Sequence, residues 1–231
     1  MGTNKSKIAS NDVILDVGCG GGKTLGRLAR LAPFGKVFGV ENSSDMVDYS
    51  KKVNEKLISR DRVQIVGGSV EKMCLPDNYF DLVKACEAYY FWLNFRDALK
   101  EIKRVLKPDG KPCLLNEMAK DGVYEIKNAK LIEKTHVHLS PLQETRNVML
   151  SIGFADVQAF TKTESPWNTV LAQKIMCRVN SLPIFFQNLP SKISYLNCVK
   201  IIRRQFLQDT WYIYKQRLFQ SSNCFVYLFW N

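Results

Sequence analysis

Residues 13–22 read V-I-L-D-V-G-C-G-G-G, a short apolar run that stops against four glycines in five positions. A run this brief, framed by breakers, suits a strand buried on both faces. Glycines directly after it let the backbone turn tightly and approach a ligand with no side chain in the way. Lys23–Leu31 follows with Leu25, Leu28 and Leu31 at helical spacing and ends before Pro33 and Gly35, the expected stop signals. This strand, glycine loop and helix constrain the chain more than any other feature.

The same rhythm continues for about 175 residues. Strands are expected at Lys36–Val40, Arg62–Val66, Phe80–Ala85 and Lys111–Glu117, with helices at Ser44–Arg60 (capped by Ser43 or Ser44), Asn94–Leu106 and Ser140–Ser151. The Ser140-Pro141 pair suits an N-cap and a first-turn proline. Gly153–Phe160 and Asn168–Lys174 read as a closing hairpin. Strands alternating with helices imply a parallel sheet covered on both faces, whose ligands lie beyond the carboxyl ends of the strands.

Three ligand loops compete for Ile14–Thr24. A phosphate-binding P-loop ending at Gly22-Lys23-Thr24 would need glycine at position 17, where Val17 stands. A dinucleotide G-x-G-x-x-G loop beginning at Gly18 and Gly20 would need glycine at 23, where Lys23 stands. The third reading starts from Asp16-Val17-Gly18-Cys19-Gly20-Gly21-Gly22, which resembles the D-x-G-x-G-x-G loop of class I S-adenosylmethionine-dependent methyltransferases of the type 11, quinone-biosynthesis-type group.

Further stretches carry the same resemblance. Pro76-Asp77-Asn78-Tyr79-Phe80-Asp81-Leu82-Val83 is similar to that family's lead into its fourth strand, and Leu99–Gly110 to the helix and turn before its fifth. The resemblance spans residues 12–175. It implies an α/β, Rossmann-like, doubly wound sheet of seven mostly parallel strands with an antiparallel closing hairpin. It also implies S-adenosylmethionine as cofactor, with Asp16, Gly18, Cys19 and Gly20 in the first loop and Cys86 at the fourth-strand exit as contacts. Glu41, with Asn42 beside it, ends the second strand and falls where the family carries its ribose-binding acid. Ser69 and Val70 fall at the adenine turn, where Ser69 replaces the usual Asp and brings no charge.

Methyl transfer relies on alignment and on exclusion of water, so no dedicated catalytic residue is assigned. Candidate acceptor contacts are Glu87, Tyr90 and Trp92 in Cys86–Trp92, an aromatic stretch suited to a small apolar or cationic acceptor, and His136 and His138 in Thr135–Leu139. The stretch lacks the Asn/Asp-Pro-Pro-Tyr signature of amide or base N-methylation.

Composition matters at two points. Residues 1–175 hold 26 Lys and Arg against 21 Asp and Glu, whereas residues 176–231 hold 7 against 1, so about half of the net charge of +11 sits in the last quarter. That argues against nucleic acid as a partner of the core, leaving a small-molecule acceptor, and divides the chain into a domain at 1–175 and a basic, aromatic tail at 176–231. The tail reads as an added helical module or as a stretch not selected as protein. The seven cysteines form no C-x-x-C pair and lie far from His136 and His138, which gives no metal site and suggests reduced, mostly buried thiols. No apolar run reaches a membrane-spanning length and residues 1–11 lack a secretion-signal core, so a cytoplasmic location is expected. The family's N-terminal helical cover is shortened here. Two alternatives to an active enzyme therefore stand: an inactive fold remnant or interaction protein, and a nucleic-acid adaptor acting through the tail. The oligomeric state is open.

Overall fold

A computed structural model describes residues 8–116, 133, 140–161 and 167–175. Seven strands form one sheet: β1 Val13–Val17, β2 Lys36–Glu41, β3 Val63–Gly67, β4 Phe80–Cys86, β5 Leu106–Asn116, β6 Phe154–Thr161 and β7 Asn168–Lys174. Their order is β3-β2-β1-β4-β5-β7-β6. The first five run parallel, and β7 runs antiparallel to both β5 and β6. Strand order therefore reverses between β1 and β4, and a crevice opens there beyond their carboxyl ends.

Strand alternation sorts the apolar side chains onto two faces. Leu15, Val17, Val83 and Ala85 pack with Ala98, Leu99 and Ile102 of helix α4 (Phe95–Val105) and Met149 of helix α5 (Leu142–Ile152). Ile14, Val37 and Leu82 pack with Leu25, Leu28 and Ala29 of helix α1 (Lys23–Leu31) on the other face.

Several expected boundaries are corrected. The helix expected over Ser44–Arg60 is two helices, α2 Ser44–Val53 and α3 Glu55–Ile58. Asn54 interrupts them because its buried side-chain amide donates to the carbonyls of Gly22 (3.1 Å) and Ser50 (2.9 Å). Ser43, not Ser44, caps α2, accepting from the Met46 N–H. Helix α5 begins at Leu142 with Pro141 just outside it and no side-chain cap, so Pro141 is not a first-turn residue. Strand β5 starts at Leu106 instead of Lys111: Phe80 pairs with Leu106 and Leu82 with Lys111, and the slip in register absorbs Lys107–Gly110. Pro112, an awkward residue inside a strand, pairs with Val83 on β4, while the ladder with β7 begins one residue later at Cys113.

Of the described cysteines, Cys19 and Cys113 are buried and Cys86 is partly so, but Cys74 is exposed. It alternates with inward-facing Met73 and Leu75 in the extended link before β4. No helix among the described residues is long and apolar enough to cross a membrane.

Candidate functional site

The glycine loop lies on the end of β2. The N–H groups of Gly18 and Cys19 both donate to the Val40 carbonyl, at 2.8 and 3.1 Å, and the Gly20 N–H donates to Glu41 Oε2 at 2.8 Å. Gly18 has φ +70°, where a side chain is strained, and a Cβ there would stand 2.7 Å from the Ala88 methyl. Glycine is required because the loop turns and the β4 exit closes on it from the other side.

Glu41 is the hinge of this arrangement. Besides Gly20, its carboxylate accepts from the N–H groups of Asn42 (2.9 Å) and Ser43 (3.0 Å) on Oε1. Beyond β3, the Gly68 N–H donates to the Glu41 carbonyl, so the next turn is held against the same strand end. Ser69 opens the short 3-10 turn Val70–Lys72, and its hydroxyl meets the Glu71 carboxylate. Glu71 then reaches across to accept from Leu93 N–H (3.0 Å) and Asn94 N–H (3.3 Å), tying this turn to the start of α4.

The β4 exit forms the far wall. Glu87 takes a left-handed backbone, φ +56°, which turns the chain sharply into the 3-10 turn Tyr89–Phe91. Its N–H donates to Leu115 of β5, and its carboxylate accepts from the Tyr90 hydroxyl at 2.7 Å.

Together these segments enclose a cleft of about 480 Å³ at the strand-order reversal. Of the residues expected from the sequence, Gly18, Gly20, Glu41, Asn42, Ser69, Val70, Glu87 and Trp92 line it. Asp16, Cys19, Cys86 and Tyr90 do not. Asp16 is 1% exposed on the α1 face of β1, where it accepts from the Thr24 hydroxyl and pairs with Lys84 of β4 at 3.2 Å. Burial works to lower the pKa of the Lys84 ammonium, but the charge and hydrogen bond of Asp16, together with nearby Cys86 and Cys113, outweigh it and the value is raised. Cys19 is buried beneath the loop with its N–H spent on Val40, and its thiol is pushed up to about 12 by burial and by the Asp16 and Glu41 charges. The Cys86 thiol is raised mainly by burial. Tyr90 is buried and serves Glu87 from behind. His136 and His138 lie outside the described residues.

Residues missed from the sequence are Val17, Val40, Ser43, Gly68, Glu71, Ala88, Phe91 and Leu93. Glu71 carried a signal, standing two residues after Ser69 in the same turn. Leu93 carried none of its own; it lines the cleft next to Trp92 with its N–H donated to Glu71.

Residues 15–114 match the family model described as a methyltransferase domain. Over these residues the chain carries a methyltransferase domain. A sterol 24-C-methyltransferase of Eremothecium gossypii is 37% identical over 107 residues, covering 46% of this chain and 28% of that protein. A juvenile hormone acid O-methyltransferase of Drosophila melanogaster is 32% identical over 163 residues, covering 62% of this chain and 54% of the relative. The match thus spans between about a quarter and just over half of these curated relatives. The solved structure of the YcgJ protein of Bacillus subtilis superposes with a TM-score of 0.57 at 24% identity, covering 68% of each chain. The seven-stranded mixed α/β sheet with its antiparallel closing hairpin matches the fold of that structure.

Proposed function

We propose that this chain transfers a methyl group from S-adenosylmethionine to a small-molecule acceptor, with residues 1–175 as the catalytic domain. The observation that carries this reading is the position of Glu41, whose carboxylate faces the cleft between the glycine loop and the Ser69–Val70 turn. A carboxylate offers about four lone-pair sites. Three are taken by backbone N–H groups, and the remaining one on Oε2 suits a ribose hydroxyl. Gly18 and Gly20 leave their flank of the cleft free of side chains, and Ser69 and Val70 line the far end where the adenine would rest. When bound, the sulfonium supplies an already activated methyl group. The protein's part is to hold it, align an acceptor and exclude water. Phe91 and Trp92 give the β4 exit an apolar wall for that acceptor. The relatives named for sterols and for juvenile hormone acid support an acceptor of small-molecule size.

Calorimetric titration of the full chain with S-adenosylmethionine tests the reading. Wild type is expected to bind, and Glu41→Ala to bind about 10- to 100-fold more weakly, the value of hydrogen bonds to a charged group. Absence of binding by a folded wild-type chain would overturn the enzyme reading in favour of a remnant fold.

A further inference from the structure

A second cavity, of about 440 Å³, adjoins the cleft and shares Trp92 and Leu93 with it. That volume suits a small molecule. Its aromatic wall is built from Tyr89, Trp92 and Phe95: Trp92 stacks on Phe95 with centroids 5.9 Å apart, and Tyr89 lies 5.5 Å from Phe95. The starts of two helices border the rest, Asn94 and Arg96 from α4, and Ser140 and Glu144 from α5.

The polar side chains there differ in how their surroundings treat them. Arg96 stands in the first turn of α4, where the helix dipole opposes a cation. It forms no salt bridge or hydrogen bond among the described residues, and its neighbour Asp97 is committed to Lys100 at 2.7 Å. Ser140 is 7% exposed, and its hydroxyl likewise has no partner among the described residues. Glu144 lies in the first turn of α5, which no side chain caps, so the positive end of that helix already stabilises its charge. The guanidinium and the buried hydroxyl are therefore donors without an acceptor, whereas the carboxylate needs no cation.

An anion meets that need, and its charge is limited by Glu144. A carboxylate brings one negative charge and fits the planar fork of a guanidinium. A phosphate ester brings about 1.5 to 2 negative charges at neutral pH and meets more repulsion from Glu144 in the same wall. The aromatic wall suits an apolar body.

We propose that the second cavity holds the body of the methyl acceptor, and that this acceptor is an apolar carboxylic acid anchored through its carboxylate by Arg96 and Ser140. The assignment rests on the methyltransferase reading above. Trp92 and Leu93 line both cavities, so a molecule anchored beside α4 extends past them towards the cofactor. The carboxylate is the handle, and a different atom of the acceptor receives the methyl group.

Measurements on the full chain keep the two readings distinguishable. Calorimetry with S-adenosylmethionine reports the cofactor site, and saturation-transfer NMR with 3-phenylpropionate reports the second cavity. With S-adenosylhomocysteine at saturation, 3-phenylpropionate is expected to bind saturably, and 3-phenylpropanol and phenyl phosphate at least about tenfold more weakly. Arg96→Gln should weaken the acid at least about tenfold and Ser140→Ala about threefold, while Glu144→Gln tightens it. All three should leave S-adenosylmethionine affinity within about twofold, since none touches the cofactor's cleft. Equal binding of the alcohol, or unchanged binding of the acid by Arg96→Gln, would overturn the carboxylate site. Tighter binding of phenyl phosphate would assign the site to phosphate esters and overturn it as well. Displacement of the acid by S-adenosylhomocysteine would place it in the cofactor's cleft, with the same consequence. Labelled methyl transfer to 3-phenylpropionates bearing a ring hydroxyl or amino group tests the acceptor assignment. The label is expected in an alkali-stable product, and Arg96→Gln to raise KM at least about tenfold with kcat little changed, the mark of lost uniform binding. Label released by mild alkali, as from a methyl ester, would make the carboxylate the reacting group and overturn its role as anchor. Transfer only to the methyl esters of those acids, or to none of the acids, would overturn the acceptor assignment. Failure of wild type to bind S-adenosylmethionine while the acid still binds would instead remove the methyltransferase reading and keep the carboxylate site.

Discussion

At the scale of single residues, the Asp16–Lys84 pair is the least expected feature. The two side chains face each other across β1 and β4 in register, 2% and 8% exposed, with Thr24 of α1 adding a hydroxyl. Removing one member of a buried pair leaves an uncompensated charge, at a cost of about 3–5 kcal/mol, whereas removing both costs far less. Lys84→Met is therefore expected to destabilise the chain by about that amount, and Asp16→Asn with Lys84→Met to recover more than half of it, read from urea midpoints. The pH dependence has a definite sign. Because the folded pKa of Lys84 is raised, its contribution is fully present below the ordinary lysine value of about 10.4 and is lost only as pH climbs through the higher folded value. The gap between wild type and Lys84→Met should hold from about pH 7 to 9 and narrow in stronger alkali. A gap that closes near neutrality would contradict the pairing. The raised Cys19 thiol follows from the same burial, and it makes this loop cysteine a packing residue rather than a nucleophile.

At the scale of elements, the helix that carries the glycine loop is secured at its far end by a side chain from another strand's approach. The Arg62 guanidinium donates to the carbonyls of Ala29 (3.0 Å), Ala32 (2.6 Å), Pro33 and Gly35 (2.9 Å), filling the open carbonyl end of α1. Arg62→Met is expected to cost about 2–3 kcal/mol, seen as a lower Tm and as lost amide-exchange protection from Leu28 to Gly35. Arg62→Lys should recover little of it, since one ammonium cannot reproduce a planar fork. Unchanged protection in Arg62→Met would show that the helix end is held by packing alone. Arg104 plays a matching part on α4, bonding the Met73 and Leu75 carbonyls at 2.9 and 2.8 Å and thereby fixing the link that leads from the cleft into β4.

At the scale of the whole molecule, residues 1–175 carry the alternating strands and helices with 26 Lys and Arg against 21 Asp and Glu, whereas residues 176–231 hold 7 against 1. The division of the chain at 175 is accordingly a proposal with a direct check. Residues 1–175 prepared alone should show one cooperative thermal transition and bind S-adenosylmethionine within twofold of the full chain. A loss of affinity would place the tail in the cofactor site and abolish the division.

What was legible in the sequence follows from locality. Lys23–Leu31 and Val13–Val17 were readable to the residue because their period and breakers lie within a few positions of each other. The glycine loop stood out by its own glycines, whereas Glu41 and the Ser69–Val70 turn were named through the family resemblance; they meet because each sits at a strand's carboxyl end. Tertiary structure decided the remainder. Asn54 broke a helix that periodicity runs through, because its amide found the Gly22 carbonyl 32 positions away. Asp16 left the cleft because Lys84, 68 positions on, pairs in register beside it. Leu93 lines the cleft with its amide bonded to Glu71, 22 positions away. Local sequence determined which elements form and which strand ends carry the cleft, since backbone preference and side-chain period act over one or two turns. The partner of each polar group was settled by pairings between distant segments, which exist only after the sheet has assembled.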